Sequence, residues 1–422
     1  MQQLYIVTQI IIKTLKKVKN DLLIFNSNIN DNSFVLGIGK DSAILFNQYL
    51  KSVNQELECQ LFSDKKEDEN LNLLVGGHPL LNKSSFENGN KILEIMSGLE
   101  SKTKLIVLLS GGASAIVEVC NPYFTESEVI EINHQLIYSG ASIEEINLIR
   151  GEVSLIKNGG LAMLSPDVVN VFIINDIPSE KIHLVGSGAF IYCENNKTEI
   201  KKYVSKYLKE NIALKMKAWL DSDERMKFTQ KKKMSLSNKS IVISELANGT
   251  HLSNILDEVI NQQNINSLSF NESLNDSVKV GVEKYLKRML EINISKSWCL
   301  FSTGELSVQV IGSGKGGRNT EFVLRLGKEI FEKNIFSFSN EELNKMIICS
   351  YATDGKDNIS GSAGGYLTFG KYQQAIKLEL SLDDYLQRND SFTYLNRINC
   401  ILPMLENSLN LMDIRFIFYL EN

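Results

Sequence analysis

A chain of 422 residues, 43% of them hydrophobic, is long enough to bury more than one core, and two or three domains are the expectation. Its 45 basic residues nearly balance 50 acidic ones. A net charge of -5 leaves no electrostatic footprint for DNA or RNA, and no basic helix points to a membrane surface, so the partners such a chain suits are small molecules.

Six scattered cysteines, with no Cys-x-x-Cys pair among them, read as reduced core residues and argue against zinc and disulfides. The apolar run at residues 5–12, interrupted by Gln9 and followed by Lys13, Lys16 and Lys17, is too short to span a bilayer and predicts an amphipathic first helix. The expected location is cytoplasmic. Downstream, unbroken apolar runs at 34–36, 105–109, 169–174, 240–244, 346–350 and 414–419 read as strands. They alternate with helical spacing at 41–50, 85–96, 126–138, 143–156, 199–220 and 252–262. Strands without polar alternation are those buried on both faces, as in parallel sheets covered by helices, so the class is α/β. Residues 221–238, including Lys231-Lys232-Lys233, have little apolar content and no period. They predict an exposed, flexible connection and a domain edge.

Chemistry-bearing residues gather in loops after these strands, where open α/β sheets bind ligands. Gly37, Gly39 and Lys40 turn a strand into a helix, and the lysine can set a point charge against a phosphate or carboxylate. Phe34 and Asp41 exclude a Walker A loop, Ser42 breaks the dinucleotide fingerprint, and a plain structural turn explains the segment about as well. In Leu109-Ser110-Gly111-Gly112-Ala113-Ser114-Ala115, amides and two hydroxyls form a second cradle able to donate to an anion. A serine nucleophile elbow is disfavoured there, because Ile116 replaces its last glycine. His78 can bond a carboxylate or phosphate, although a lone loop histidine is more often structural. Asp176 and Asp354 follow strands, where carboxylates hold magnesium or accept a hydroxyl proton; Asp357 reads at least as well as a turn residue. Gly316, Gly317, Arg318 and Asn319 open a helix whose Phe322, Val323, Leu326, Ile330 and Phe331 share one face. Glycines, a guanidinium fork and a helix N-terminus together suit a phosphoryl group.

Gly37-Ile38-Gly39-Lys40, Gly77-His78-Pro79, the 109–115 loop, Asn147-x-x-Arg150, Asp176 with Ser187-Gly188, Gly304-Glu305, Gly316-Gly317-Arg318-Asn319-x-Glu321 and Ala352-Thr353-Asp354-Gly355-x-Asp357 occur in one order. Over nearly the whole chain that order resembles the glycerate 2-kinases of the MOFRL type. The resemblance implies a Rossmann-like glycerate-kinase domain over 1–295 and a MOFRL domain over 296–422, each a mostly parallel sheet flanked by helices, with an interdomain cleft between them. It implies transfer from ATP, with Mg2+, to the 2-hydroxyl of D-glycerate or a related small hydroxy acid. Lys40 and Arg318 become the catalytic cations on opposite sides of that cleft. Gly37, Gly39, His78, Ser110, Gly111, Gly112, Ser114, Arg150, Ser187, Gly188, Gly316, Gly317 and Asn319 become substrate or nucleotide contacts, and Asp176, Glu305 and Asp354 candidate metal ligands. The implied partner is a small molecule rather than nucleic acid or membrane, with a homodimer left open.

The pattern departs from the family at functional loops. Where the family carries Thr-Gly-Pro-Thr-Gly-Thr-Asn before its final strand, this chain has Met404-Leu405-Glu406-Asn407-Ser408-Leu409-Asn410, without either glycine and with an added carboxylate. After Asp357, Asn358-Ile359-Ser360-Gly361 replaces Gly-Pro-Thr-Asp. The open readings are therefore a glycerate kinase, a kinase for a different sugar acid, and a ligand-binding or regulatory protein that has lost phosphoryl transfer. A dehydrogenase is a further alternative, against which the incomplete glycine fingerprint counts.

Overall fold

The computed structural model describes residues 2–22, 32–53, 57–66, 69–177, 179–270, 272–292, 296–358, 361–405 and 409–421. The chain forms two compact units: a central one, Leu22–Leu246, and a composite one that joins Met1–Asp21 to Ala247–Asn422. The division expected at 295/296 thus falls inside the composite unit. The first helix, α1 (Gln2–Asp21), explains the composite part: its buried stripe of Val7, Ile10, Ile11, Leu15 and Val18 packs on a helix near residue 250 rather than on its sequence neighbours.

The central sheet contains β1 (Ser33–Ile38), β2 (Glu58–Ser63), β3 (Leu73–Val75), β4 (Lys104–Leu109), β5 (Val168–Ile174) and β6 (Ser240–Ala247), ordered β3-β2-β1-β4-β5-β6. The pairings β2/β3, β1/β2, β1/β4 and β4/β5 are parallel, as the unbroken apolar runs predict. Helices α2 (Ser42–Val53), α3 (Lys83–Gly98), α4 (Ala113–Ile116), α5 (Glu126–Ile137), α6 (Ile143–Val153), α7 (Gly160–Leu164), α8 (Lys197–Tyr207), α9 (Glu210–Asp221) and α10 (Asp223–Leu236) accompany it. The strand order reverses direction between β1 and β4. Open α/β sheets bind ligands at such a switch point, outside the carboxyl ends of the strands. Ile38 pairs with Leu109, so the loops carrying Lys40 and Ser110 leave the sheet side by side.

Two helical expectations change here. The stretch at 199–220 is two helices, broken where Leu208 adopts an extended conformation. Residues 221–238 are not a flexible linker, since α10 occupies most of them. Its anchors are charged: Lys232 is 3% exposed with Nζ donating to the carbonyls of Lys157 (3.3 Å) and Asn158 (3.1 Å), and Arg225 forks onto the Glu152 carboxylate. A helix held by charged side chains carries no apolar period, which is why the sequence reads as solvated linker.

The composite sheet contains β7 (Asn266–Ser269), β8 (Trp298–Gly304), β9 (Met346–Ala352), β10 (Gly364–Thr368), β11 (Ile401–Leu402) and β12 (Asp413–Tyr419), in the order β11-β10-β9-β12-β8-β7. Here the expected mostly parallel sheet is corrected. The pairings β10/β11, β9/β10, β9/β12 and β8/β12 are antiparallel, and β7/β8 is parallel. Strands β8, β9 and β12 are buried along their whole length, and a strand covered on both faces loses its polar alternation whichever way its neighbours run. The helices that position functional groups in this unit are α11 (Gly249–Asn261), the partner of α1, then α12 (Val278–Met289) and α13 (Arg318–Gly327). Among the described residues no helix is long and apolar enough to cross a membrane.

Candidate functional site

In the central unit the first two loops lock together through their own backbones. Gly39 has φ +130, a conformation that favours glycine, and a side chain there would collide with Ser110. The Lys40 amide donates to the Gly111 carbonyl (2.9 Å), the Asp41 amide to Ser110 Oγ (3.0 Å) and the Ser110 amide to the Ile38 carbonyl (3.0 Å). The amides of Gly39 and Ser42 are likewise satisfied, by Phe62 and Gly39. Residues 39–42 are therefore a brace rather than an amide cradle, and Ser110, fully buried, is part of it. Gly37 lies inside β1, where its missing side chain makes room for Leu61.

The Gly111 and Gly112 amides stand outside the bonds that tie these loops. Gly112, at φ +85, is flanked by Lys40 and His78: a Cβ there would lie 3.1 Å from Lys40 Cγ and 3.0 Å from His78 Cδ2. Lys40 is half-buried and His78 exposed. A lysine and an imidazole thus flank Gly112 at the switch point, side chains of a kind that suit an anion. On α4, the Ser114 hydroxyl oxygen lies 2.8 Å from that of Ser187, and Ser187 Oγ in turn lies 2.8 Å from Asn147 Oδ1. Ser187 is a non-glycine residue at φ +55, between Gly186 at φ +58 and Gly188 at φ +68.

Arg150 does not join this group. It is buried on α6 with Nε donating to Asn133 Oδ1 (2.7 Å), and burial pushes its guanidinium down to about 10 against the attraction of Glu118. Nearby, Glu118 and Lys157 make a buried ion pair, supported by Ser154 Oγ and the Val119 amide, that the sequence gives no sign of. Burial lowers the Lys157 ammonium, with Glu118 opposing.

In the composite unit the helix mouth expected to bind phosphate is filled by the chain itself. The Asp357 carboxylate, 2% exposed, accepts from the Asn319 amide (2.9 Å) and Nδ2 (3.3 Å) and from the Thr320 amide and Oγ1 (both 2.8 Å). It caps α13 at the end where negative charge is favoured. Gly317 is glycine because a Cβ would meet Asp357 Oδ1 at 2.3 Å, and Gly316 because one would meet Ser391 Oγ at 2.3 Å. Asn319 is fully buried and also bonded to Ser350, so it and the two glycines serve the cap. Burial pushes the Asp357 carboxyl up, against the pull of the Asn319 and Thr320 amides and the Thr320 hydroxyl.

Arg318 points the other way. Its Nε and Nη2 fork onto the Asp413 carboxylate, with Nη2 at 2.9 Å, and Nη2 also reaches Glu305 Oε1 at 3.1 Å. Burial disfavours its charge, yet Asp413 and Glu305 outweigh that and hold the guanidinium above its ordinary range. Asp413 is shared with Arg415 (3.2 Å), which is fully buried and donates to the Gly304 carbonyl (2.7 Å). Sequence reasoning passed over Asp413 as a partner. The signal available was a charged pair two residues apart in an otherwise apolar strand, which is tolerated only when paired.

Among the described residues no three His, Cys, Asp or Glu gather where they could hold an ion. Asp354 is half-buried after β9, with Oδ1 accepting from the Lys356 amide (2.9 Å); Asp176 is half-buried after β5, and Glu305 is exposed after β8. Of the altered loop at 404–410, residues Glu406, Asn407 and Ser408 lie outside the described residues, as do Ile359 and Ser360.

Comparison with known proteins agrees with this two-part chain. Residues 5–221 match the model described as a domain of unknown function, DUF4147, and residues 298–413 match that of the MOFRL family. The chain is 27% identical to a glycerate 2-kinase of Picrophilus torridus over 369 residues, covering 86% of this chain and 81% of the relative. It is 24% identical to a D-glycerate 2-kinase of Thermotoga maritima, covering 82% and 79%. The crystal structure of a Thermotoga maritima glycerate kinase matches the whole of both chains with a TM-score of 0.79 at 20% identity, a likeness of fold. With its DUF4147 model matched over half the chain and the MOFRL segment following, the protein belongs to the DUF4147 family of MOFRL-containing proteins.

Proposed function

We propose that this protein is a kinase that transfers a phosphoryl group from ATP to the 2-hydroxyl of D-glycerate, or of a closely related small hydroxy acid, to give 2-phosphoglycerate or its counterpart. The observation that carries this reading is that the Lys40 and His78 side chains flank Gly112 at the switch point of the central sheet. The curated relatives named as glycerate kinases support the substrate class. Phosphoryl transfer asks a protein chiefly for positioning and charge neutralisation, and Lys40 would place its ammonium against the phosphate while the glycine amides hold the oxygens. Arg318 would act as a second cation once a phosphoryl group replaces Asp413 or Glu305 in its fork.

Magnesium takes one or two protein carboxylates and completes its shell with water and phosphate oxygens. The scattered carboxylates suit an ion that arrives with the nucleotide better than one caged by protein, and Asp176, Glu305 and Asp354 are the residues that would offer it an oxygen. When bound, it would neutralise charge on the β- and γ-phosphates.

The occupied Arg318 fork favours a second reading, a protein that binds a hydroxy acid without transferring phosphate. The test is ATP consumption across a panel of hydroxy and sugar acids, with the product identified by 31P NMR. Turnover of D-glycerate to the 2-phosphate is expected. Turnover of another acid would move the substrate, and saturable binding with no ADP release would overturn the kinase in favour of the binding protein.

A further inference from the structure

The Ser114, Ser187 and Asn147 side chains form a hydrogen-bond chain whose polarity can be read from its far end. Asn147 Nδ2 lies 3.2 Å from the Leu184 carbonyl, a group that can only accept, so the amide nitrogen faces Leu184 and Oδ1 faces Ser187. A side-chain carbonyl oxygen also can only accept, so the single hydroxyl proton of Ser187 goes to Asn147. Ser187 Oγ then meets Ser114 as an acceptor, and the proton between the two serines belongs to Ser114. Ser114 therefore donates inward and turns its lone pairs outward.

That polarity inverts what a serine in a phosphate cradle would do, because a phosphate oxygen needs a donor. We propose that Ser114 accepts a hydrogen bond from a hydroxyl group of the acceptor substrate, and so selects an alcohol-bearing ligand over an inorganic or nucleotide phosphate. The proposal rests on the reading of the switch-point loops as the substrate site, and names the substrate chemistry that Ser114 recognises.

A second observation supports a dedicated relay. Ser187 is held at φ +55, ψ +34 between two glycines that share its left-handed conformation, where a third glycine would be easier for the backbone. Its main chain is also fixed, since the Asn158 amide donates to the Ser187 carbonyl (3.0 Å) and the Gly159 amide to that of Gly188 (2.6 Å). The hydroxyl at 187 is thus retained at a position that disfavours it, and what that hydroxyl does is orient the proton of Ser114.

Titration calorimetry with D-glycerate and, separately, inorganic phosphate tests the inference without relying on turnover. Ser114→Ala is expected to weaken D-glycerate by about fivefold to tenfold, the worth of one neutral hydrogen bond, and to leave phosphate unchanged. Ser187→Gly, which the backbone accommodates, releases the Ser114 proton and should narrow the preference between the two ligands by a similar factor. Weaker phosphate binding in Ser114→Ala, or a Ser187→Gly protein with wild-type preference, overturns the proposal, as does a wild-type protein that binds no hydroxy acid. If the wild type binds D-glycerate through Ser114 but never releases ADP, the inference stands and the kinase reading falls. If it turns over D-glycerate and Ser114→Ala raises only the KM for ATP, the reverse holds.

Discussion

The loops around Lys40 and those around Arg318 look alike in sequence, glycines leading into a helix with a cation at its mouth, yet their backbones are braced by different groups. Around Lys40 the loop backbones are braced by the carbonyls of Ile38 and Gly111 and by the Ser110 hydroxyl. Around Arg318 the chain supplies its own anions: Asp357 fills the helix mouth, and Asp413 with Glu305 fills the guanidinium fork. A glycine–cation–helix pattern therefore says that negative charge belongs at the mouth. It does not say whether a ligand or the chain brings that charge.

The sharpest way to break this contrast is Arg318→Ala. If Arg318 leaves its carboxylates to act on a phosphoryl group, kcat falls by roughly 10³-fold or more. The free energy of unfolding in urea falls as well, by about 1–3 kcal/mol, because Asp413, whose side chain is 1% exposed, loses a bidentate partner. Arg318→Lys restores charge without the fork and should recover part of the stability but little of the turnover. A destabilised variant with wild-type kcat would make Arg318 purely structural. Next in size is Asp357→Asn, which keeps the shape of the cap but turns an NH2 group toward amides that need an acceptor. Chemical denaturation should show a loss of roughly 2–4 kcal/mol. A loss below 1 kcal/mol would mean that the helix mouth tolerates vacancy, as a ligand site would.

Much of the central unit is legible in sequence because its parallel strands are apolar throughout and its loops carry glycines at positions that need them, Gly39 and Gly112 above all. The composite sheet is legible as buried strands but not as antiparallel ones, since burial on both faces erases the alternation that distinguishes them. Arg318 stands out, whereas its partner Asp413 lies 95 residues away, and no spacing rule links them. Asp357 was visible only as a turn residue because a cap supplied from a distant loop leaves no local signature at the helix it caps. The same blindness hid α10, whose grip comes from Arg225 and Lys232 rather than from an apolar stripe.

Lys232 gives the contrast a pH dimension. Burial pushes its ammonium down from 10.5 to about 8, with Glu152 opposing, and its two carbonyl partners belong to the loop that holds the Ser187 turn. A cation whose folded value is lowered binds fewer protons folded than unfolded between pH 8 and 10.5. Stability therefore rises with pH through that window and the penalty is fully present below it. Relative to Lys232→Met, the wild type should gain on the order of 2 kcal/mol between pH 7.5 and 10.5 in urea unfolding. If the wild type instead loses ground as pH rises, the charged form is the stabilised one.

The smallest effect expected is at the Ser110 brace beside Lys40. Ser110→Ala removes the hydroxyl that accepts from the Asp41 amide at 3.0 Å and leaves that amide unpaired at the start of α2, while opening only a small void beside Gly39. One neutral hydrogen bond at a helix entrance costs about 1 kcal/mol when its acceptor is removed. That should be less than half the loss for Asp357→Asn measured in the same denaturant. The ratio matters more than either value, because equal losses would mean that the two mouths are braced alike and that Asp357 has no more claim than Ser110 to stand where a ligand's charge would.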